Sequence, residues 1–179
     1  HGDLEFTYVL EGSIEVRTLE SAGQIRTGEA IFINKDVAHY VKRIENCHYN
    51  SFIFPSYFLE FYTGSPAKIL VDGITTNEQL PLFPFTFEVG WYEDVINILR
   101  QLADIERNKT EFYAYEVLVR LSSLWLVMRK NITIPQKQKE SILHSRMQKI
   151  LRFIEEHYAE NITLSDLAGS ANISKSECS

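Results

Sequence analysis

Apolar and polar residues alternate through the first third of the chain, whereas apolar residues recur at steps of three and four through the last half. That change of period separates strands from helices. Leu4-Glu-Phe-Thr-Tyr-Val-Leu10 and Ser13-Ile-Glu-Val-Arg17 flank Glu11-Gly12, a pattern that predicts a hairpin. Glu20-Ser-Ala-Gly23 predicts a second turn. Ala30 to Ile33 follows Gly28-Glu29, Val37 to Ile44 follows Asn34-Lys-Asp36, and Tyr49 to Phe54 stops at Pro55. Short strands with closely spaced turns predict a β-sandwich or barrel.

Ser56 to Tyr62 predicts a short capped helix. Thr63 to Val89 is rich in Pro, Gly, Thr and Phe and predicts irregular chain, with Leu80-Pro-Leu-Phe-Pro-Phe85 extended because proline disfavours helix before it. Val95, Ile98, Leu99, Leu102 and Ile105 then form one helical stripe. Phe112, Tyr115, Leu118, Val119, Leu121, Ser122, Trp125 and Met128 form a second, after a break at Asn108-Lys-Thr110. The second helix also carries Val117, Leu124, Leu126 and Val127 outside its stripe. A helix apolar nearly all round is covered on two sides. One side can lie on the strands. The other predicts a second subunit paired through Leu118, Leu121, Trp125 and Met128, or cover from the irregular segment or a further domain.

Ile134-Pro-Gln-Lys-Gln-Lys-Glu140 is polar and charged and reads as a linker. Beyond it, Met147, Ile150, Leu151, Ile154 and Tyr158 share one helical face, and Asn161 is expected to close the helix in the left-handed conformation. Thr163 has the side chain of an N-cap, with Asp166 three residues on. Leu164, Leu167 and Ala168 make a helix of barely two turns. Asn172-Ile-Ser174 turns again, and Ser174-Lys-Ser-Glu177 is a capping box that starts a third helix at Lys175. In a helix-turn-helix, the element after the second helix enters the DNA major groove. Ser174, Lys175 and Ser176 are therefore the candidate DNA contacts.

The tail from Ile154 to Ser176 resembles the first helix-turn-helix of the AraC/XylS family of bacterial transcription regulators. The matching residues are Ile154 to Tyr158, Ile162 to Ala168, and Ile173 to Ser176. Members of that family carry two such motifs in their DNA-binding domain, so the resemblance implies that residues 142–179 are a truncated first motif.

The composition, 45% hydrophobic and 12% aromatic, fits a folded chain rather than a disordered one. No apolar run approaches the ~20 residues of a membrane span, and no signal-peptide pattern opens the chain. Cys47 and Cys178 lie far apart without metal-type spacing, as expected of reduced thiols in the cytoplasm. The net charge of −6 is opposite in sign to what phosphate binding favours. After Ile134, however, basic and acidic residues balance, so the whole excess lies in the front part. Phosphate binding needs only a local basic face.

Two spacings in the front part carry candidate chemistry. His1-x-x-x-Glu5 is followed by Gly12, and Gly28 by Asn34 and then His39. Together they resemble the two cupin motifs, with His1 in place of the second His of the usual pair and Asn34 in place of the usual Pro. The resemblance fits the tail, because many AraC-type regulators have a cupin-like N-terminal domain that holds a small effector. It implies an α+β fold: a cupin-like barrel over 1–89, dimerisation helices over 90–131, a linker over 132–141 and the motif over 142–179. His1, Glu5, Thr7 and His39 are the candidate effector-binding residues, since polar handles among apolar walls suit a small-molecule site. If Glu5 points inward, so do Asp3, Thr7 and Val9. His1, Glu5 and His39 are also weak metal candidates. The reading is a non-enzymatic, cofactor-free, cytoplasmic regulator with DNA, a small effector and a second copy as partners, and no membrane. The alternatives are a metal-dependent cupin enzyme and a dimerisation module with a vestigial pocket.

Overall fold

Seven strands in two antiparallel sheets precede most of the helices in the computed structural model, which describes residues 2–134 and 142–178. The strands are β1 (Asp3–Glu11), β2 (Ser13–Arg17), β3 (Ala22–Arg26), β4 (Ala30–Ile33), β5 (Tyr40–Arg43), β6 (His48–Pro55) and β7 (Leu82–Phe85). One sheet runs β6-β1-β4-β7 and the other β3-β2-β5. The fold is thus mixed α and β with two sheets, and the strands do not close into a barrel. The helices are α1 (Lys68–Thr75), α2 (Tyr92–Arg107), α3 (Tyr113–Asn131), α4 (Ile142–His157), α5 (Leu164–Ser170) and α6 (Lys175–Cys178). The chain divides into two compact units, His1–Gln136 and Lys137–Ser179. Among the described residues, no helix is long and apolar enough to cross a membrane.

The expected hairpin between β1 and β2 does not form. β1 pairs with β4 and β6, while β2 pairs with β3 and β5. One residue, Gly12, separates them, too few for the two-residue turn that a hairpin prefers. Gly12 instead takes φ +79° and turns the chain out of one sheet into the other. The corner is tight, since a Cβ on Gly12 would lie 2.1 Å from the carbonyl oxygen of Asn46. The next turn spans Thr18 to Ser21, where the Thr18 amide donates to the Ser21 carbonyl at 2.8 Å, so Gly23 belongs to β3 rather than to the turn.

β1 is central in its sheet and covered on both faces, which explains its weak alternation. Leu4, Phe6 and Tyr8 join Phe32, Phe54 and Phe85 under α2 and α3. Val9 faces the other way and packs with Ile14, Val16, Ile25, Ile31 and Ile33 between the sheets. Each fully buried large side chain contributes roughly 1.5–3 kcal/mol, so the two clusters together hold the sheets and helices in place.

The segment 63–89 is less irregular than its composition suggests. It contains α1, whose Val71 and Ile74 are buried, and β7, the edge strand beside β4. The short helix after Pro55 is a single 3-10 turn, Ser56–Leu59. In the second unit, Asn172 rather than Asn161 takes the left-handed conformation, with φ +53°. α5 is closed at its start by a reciprocal box. The Thr163 hydroxyl accepts from the Asp166 amide, and the Asp166 carboxylate accepts from the Thr163 amide at 2.9 Å. Ser174 and Glu177 repeat the arrangement at α6, with the Ser174 amide donating to Glu177 at 2.9 Å.

Candidate functional site

Glu5, Thr7 and His39 come together, while His1 lies outside the described residues. Alternation along β1 turns Glu5 and Thr7 to the same face, and the β1–β6 register sets Ser51 opposite Thr7. The Thr7 hydroxyl donates to Glu5 Oε1 at 2.8 Å and meets the Ser51 hydroxyl at 2.9 Å. His39 Nε2 is 3.5 Å from the other Glu5 oxygen, and its Nδ1 faces the Val37 carbonyl at 3.0 Å. Burial pushes the Glu5 carboxyl up, but hydrogen bonds from His39, Thr7 and Ser51 outweigh it and hold its pKa below the usual range. The hydrogen bond to Glu5 raises the His39 pKa against the opposing effect of burial. The cluster is an internally bonded network that ties the segment before β5 to β1. Among the described residues, no group of three or more His, Cys, Asp or Glu is placed to hold a metal ion.

A cavity of ligand size lies elsewhere. It has a volume of about 1000 Å³ and opens between β6, the 3-10 turn and the α2–α3 pair. Ser51 reaches its wall, but Glu5, Thr7 and His39 do not. Its lining was hidden from sequence reasoning because it assembles from segments far apart in the chain. Only the aromatic run Tyr57-Phe58 and Phe61 beside the end of β6 hinted at it.

The expected pairing residues on α3 require a correction. Leu121, Trp125 and Met128 are buried in the chain's own core, and the Trp125 ring meets Phe32 edge-on at 6.1 Å. They cover the sheet and are not available to a second copy. Of the four, only Leu118 is open, at 38% exposure. The outward stripe is Tyr115, Val119 and Leu126, with Tyr115 at 78%. These positions follow one another at steps of four and seven, so they share a face.

In the second unit, Ser174, Lys175 and Ser176 are exposed at the start of α6. Among that unit's described residues, Ala168 and Ala171 are buried. Arg146 on α4 pairs with Glu177 at 3.7 Å.

The known proteins to which the chain is similar are transcription regulators, one in sequence and others in fold. In sequence it is similar to the uncharacterized HTH-type transcriptional regulator YdeC of Bacillus subtilis (strain 168), with 25% identity over 187 aligned residues. The match covers 99% of this chain and 62% of that relative, so the chain spans less than two thirds of it. In fold it is similar to the AraC-like transcriptional activator CuxR, with a TM-score of 0.51, 14% identity, and coverage of 98% of this chain and 58% of that one. An apo variant of ToxT from Vibrio cholerae strain SCE256 gives a TM-score of 0.52 at 13% identity, covering 97% of this chain and 63% of that one. ToxT from Vibrio cholerae O395 bound to (E)-4-(8-methylnaphthalen-1-yl)but-3-enoic acid gives 0.50 at 14%, covering 99% and 66%. No family model matches the chain.

Proposed function

We propose that the chain forms the sensing and pairing part, and the first DNA-binding element, of a sequence-specific transcription regulator controlled by a small effector. The observation that carries this is the tail: α4, α5 and α6 joined by tight turns, with a capping box at each of the last two starts and the left-handed Asn172 between them. Such doubly specified turns fix the angle at which α6 leaves α5, which a groove-reading element requires. In this reading Ser174, Lys175 and Ser176 open the helix that meets DNA.

The first unit supplies the effector site and the pairing face. A neighbour of the same fold, ToxT, is solved with an aryl-butenoic acid, which supports an effector of small organic type. Pairing runs through the outward stripe Tyr115, Val119 and Leu126, whose apolar side chains are exposed. An effector controls such a protein only by binding two of its states unequally.

The test is footprinting of the full-length protein, with and without Lys175→Ala, at several salt concentrations. A discrete protected site whose salt dependence weakens in the variant supports the reading. Equal, sequence-independent coating by both proteins refutes it.

A further inference from the structure

We infer that the effector site is the half-open cavity along the free edge of β6, and that it takes an amphipathic organic acid whose carboxylate meets Arg107. The inference rests on the proposal that the first unit binds an effector, and it replaces the space between the sheets as the location.

The space between the sheets is already filled. Val9, Ile14, Val16, Ile25, Ile31 and Ile33 occupy it with at most 1% exposure, and the Glu5–Thr7–His39 groups satisfy one another there. The cavity outside it, by contrast, is open and of ligand size: about 1000 Å³, at the upper end of typical small-molecule pockets. Among the described residues β6 pairs only with β1, and residues from both of its faces line the cavity, which therefore wraps around the strand's free edge. Phe52, Tyr57, Phe61 and Leu118 give it an apolar body.

The polar groups decide the ligand's charge. Glu106 lines one end, but its carboxylate already accepts from Lys109 at 2.6 Å and from the Tyr113 hydroxyl at 2.5 Å. Arg107, the one cation among the described lining residues, has a single 3.5 Å contact, to Asp104. Its planar fork keeps donors for a second, incoming carboxylate, the geometry a guanidinium binds best. A ligand with an aromatic or aliphatic body and one acidic end matches both halves of the cavity. The site also reaches α3 at Leu118, next to the outward stripe, so a bound ligand bears on the helix proposed to pair.

The test uses the 179-residue chain, 4-phenylbutanoic acid as probe and 4-phenylbutan-1-ol as its neutral counterpart, with affinity read by calorimetry. The acid is expected to bind, the alcohol to bind about tenfold more weakly, and Arg107→Gln to erase that difference, since charged hydrogen bonds are the strong ones. Leu118→Trp, which fills the cavity without touching Arg107, is expected to abolish binding of both. Glu5→Gln is expected to leave the acid's affinity unchanged. Three results overturn the site: no binding of the acid, binding indifferent to Arg107→Gln and Leu118→Trp, or binding lost on Glu5→Gln. Binding that disappears as protein concentration rises also overturns it, by showing that a second copy occupies the groove. The footprint of the full-length protein is independent of all these results, so the regulator reading can stand if the site fails.

Discussion

Gly12→Ala is the perturbation that tests the architecture most sharply. Gly12 sits at φ +79°, and a side chain there costs an L-residue roughly 1–2 kcal/mol. That cost is not the whole effect. The new Cβ would lie 2.1 Å from the Asn46 carbonyl oxygen and 3.0 Å from the Cα of Cys47, both backbone atoms of the link between β5 and β6. Relief requires the corner or that link to move by about an ångström, which strains the register of β1 with β6 or of β2 with β5. The expected total is about 3–4 kcal/mol, a large share of the ~5–15 kcal/mol that holds a domain folded. Gly64→Ala supplies the control, because Gly64 has φ +83° with nothing within 4 Å of the added atom. It should lose only the conformational part, about 1–2 kcal/mol. Urea denaturation of both variants, followed by circular dichroism, reads the two losses. If Gly12→Ala costs no more than Gly64→Ala, the tight corner between the sheets is wrong.

Three further outcomes follow from the same geometry. If the proposed pairing runs through this stripe, Val119→Glu with Leu126→Glu should give a folded monomer by sedimentation where the unsubstituted chain gives a dimer, because both residues point outward; Trp125→Ala should instead cost about 3–5 kcal/mol of stability. The Glu5–His39 pair should stabilise the fold most where both are charged. The lowered Glu5 pKa makes its contribution present above about 4.5 and lost as pH falls through the folded value, while the raised His39 pKa makes its contribution complete below about 6.5 and lost as pH rises through the folded value. Stability measured from pH 5 to 9 should therefore fall more steeply in the wild type than in Glu5→Gln, and parallel curves would refute the pairing. Thr163→Ala should destabilise the second unit by about 1 kcal/mol through loss of its cap, read as a lower helical signal on heating.

The parts of the fold that local chemistry specifies were legible in the residues. The stripes Val95–Leu102 and Tyr115–Met128 announce α2 and α3, and the pairs Thr163/Asp166 and Ser174/Glu177 mark the starts of α5 and α6. What depends on tertiary pairing was not. Nothing in Glu11-Gly12-Ser13 shows that β1 and β2 enter different sheets. α3 is apolar on two faces, and only packing shows that Leu121, Trp125 and Met128 take the inner one. Glu5, Thr7 and His39 were visible as polar residues at suggestive spacings, yet Ser51 joins them across 44 positions through the β1–β6 register. The cavity edge at Arg107 needed the whole α2–α3 pair in place.

The proposal of a DNA-reading regulator is tested most directly by selecting sites from random-sequence DNA with the full-length protein and footprinting it on the selected fragments. A discrete protected segment is expected, with Lys175→Ala raising the concentration needed for protection. Uniform weak protection of every sequence, unchanged by that substitution, would contradict it.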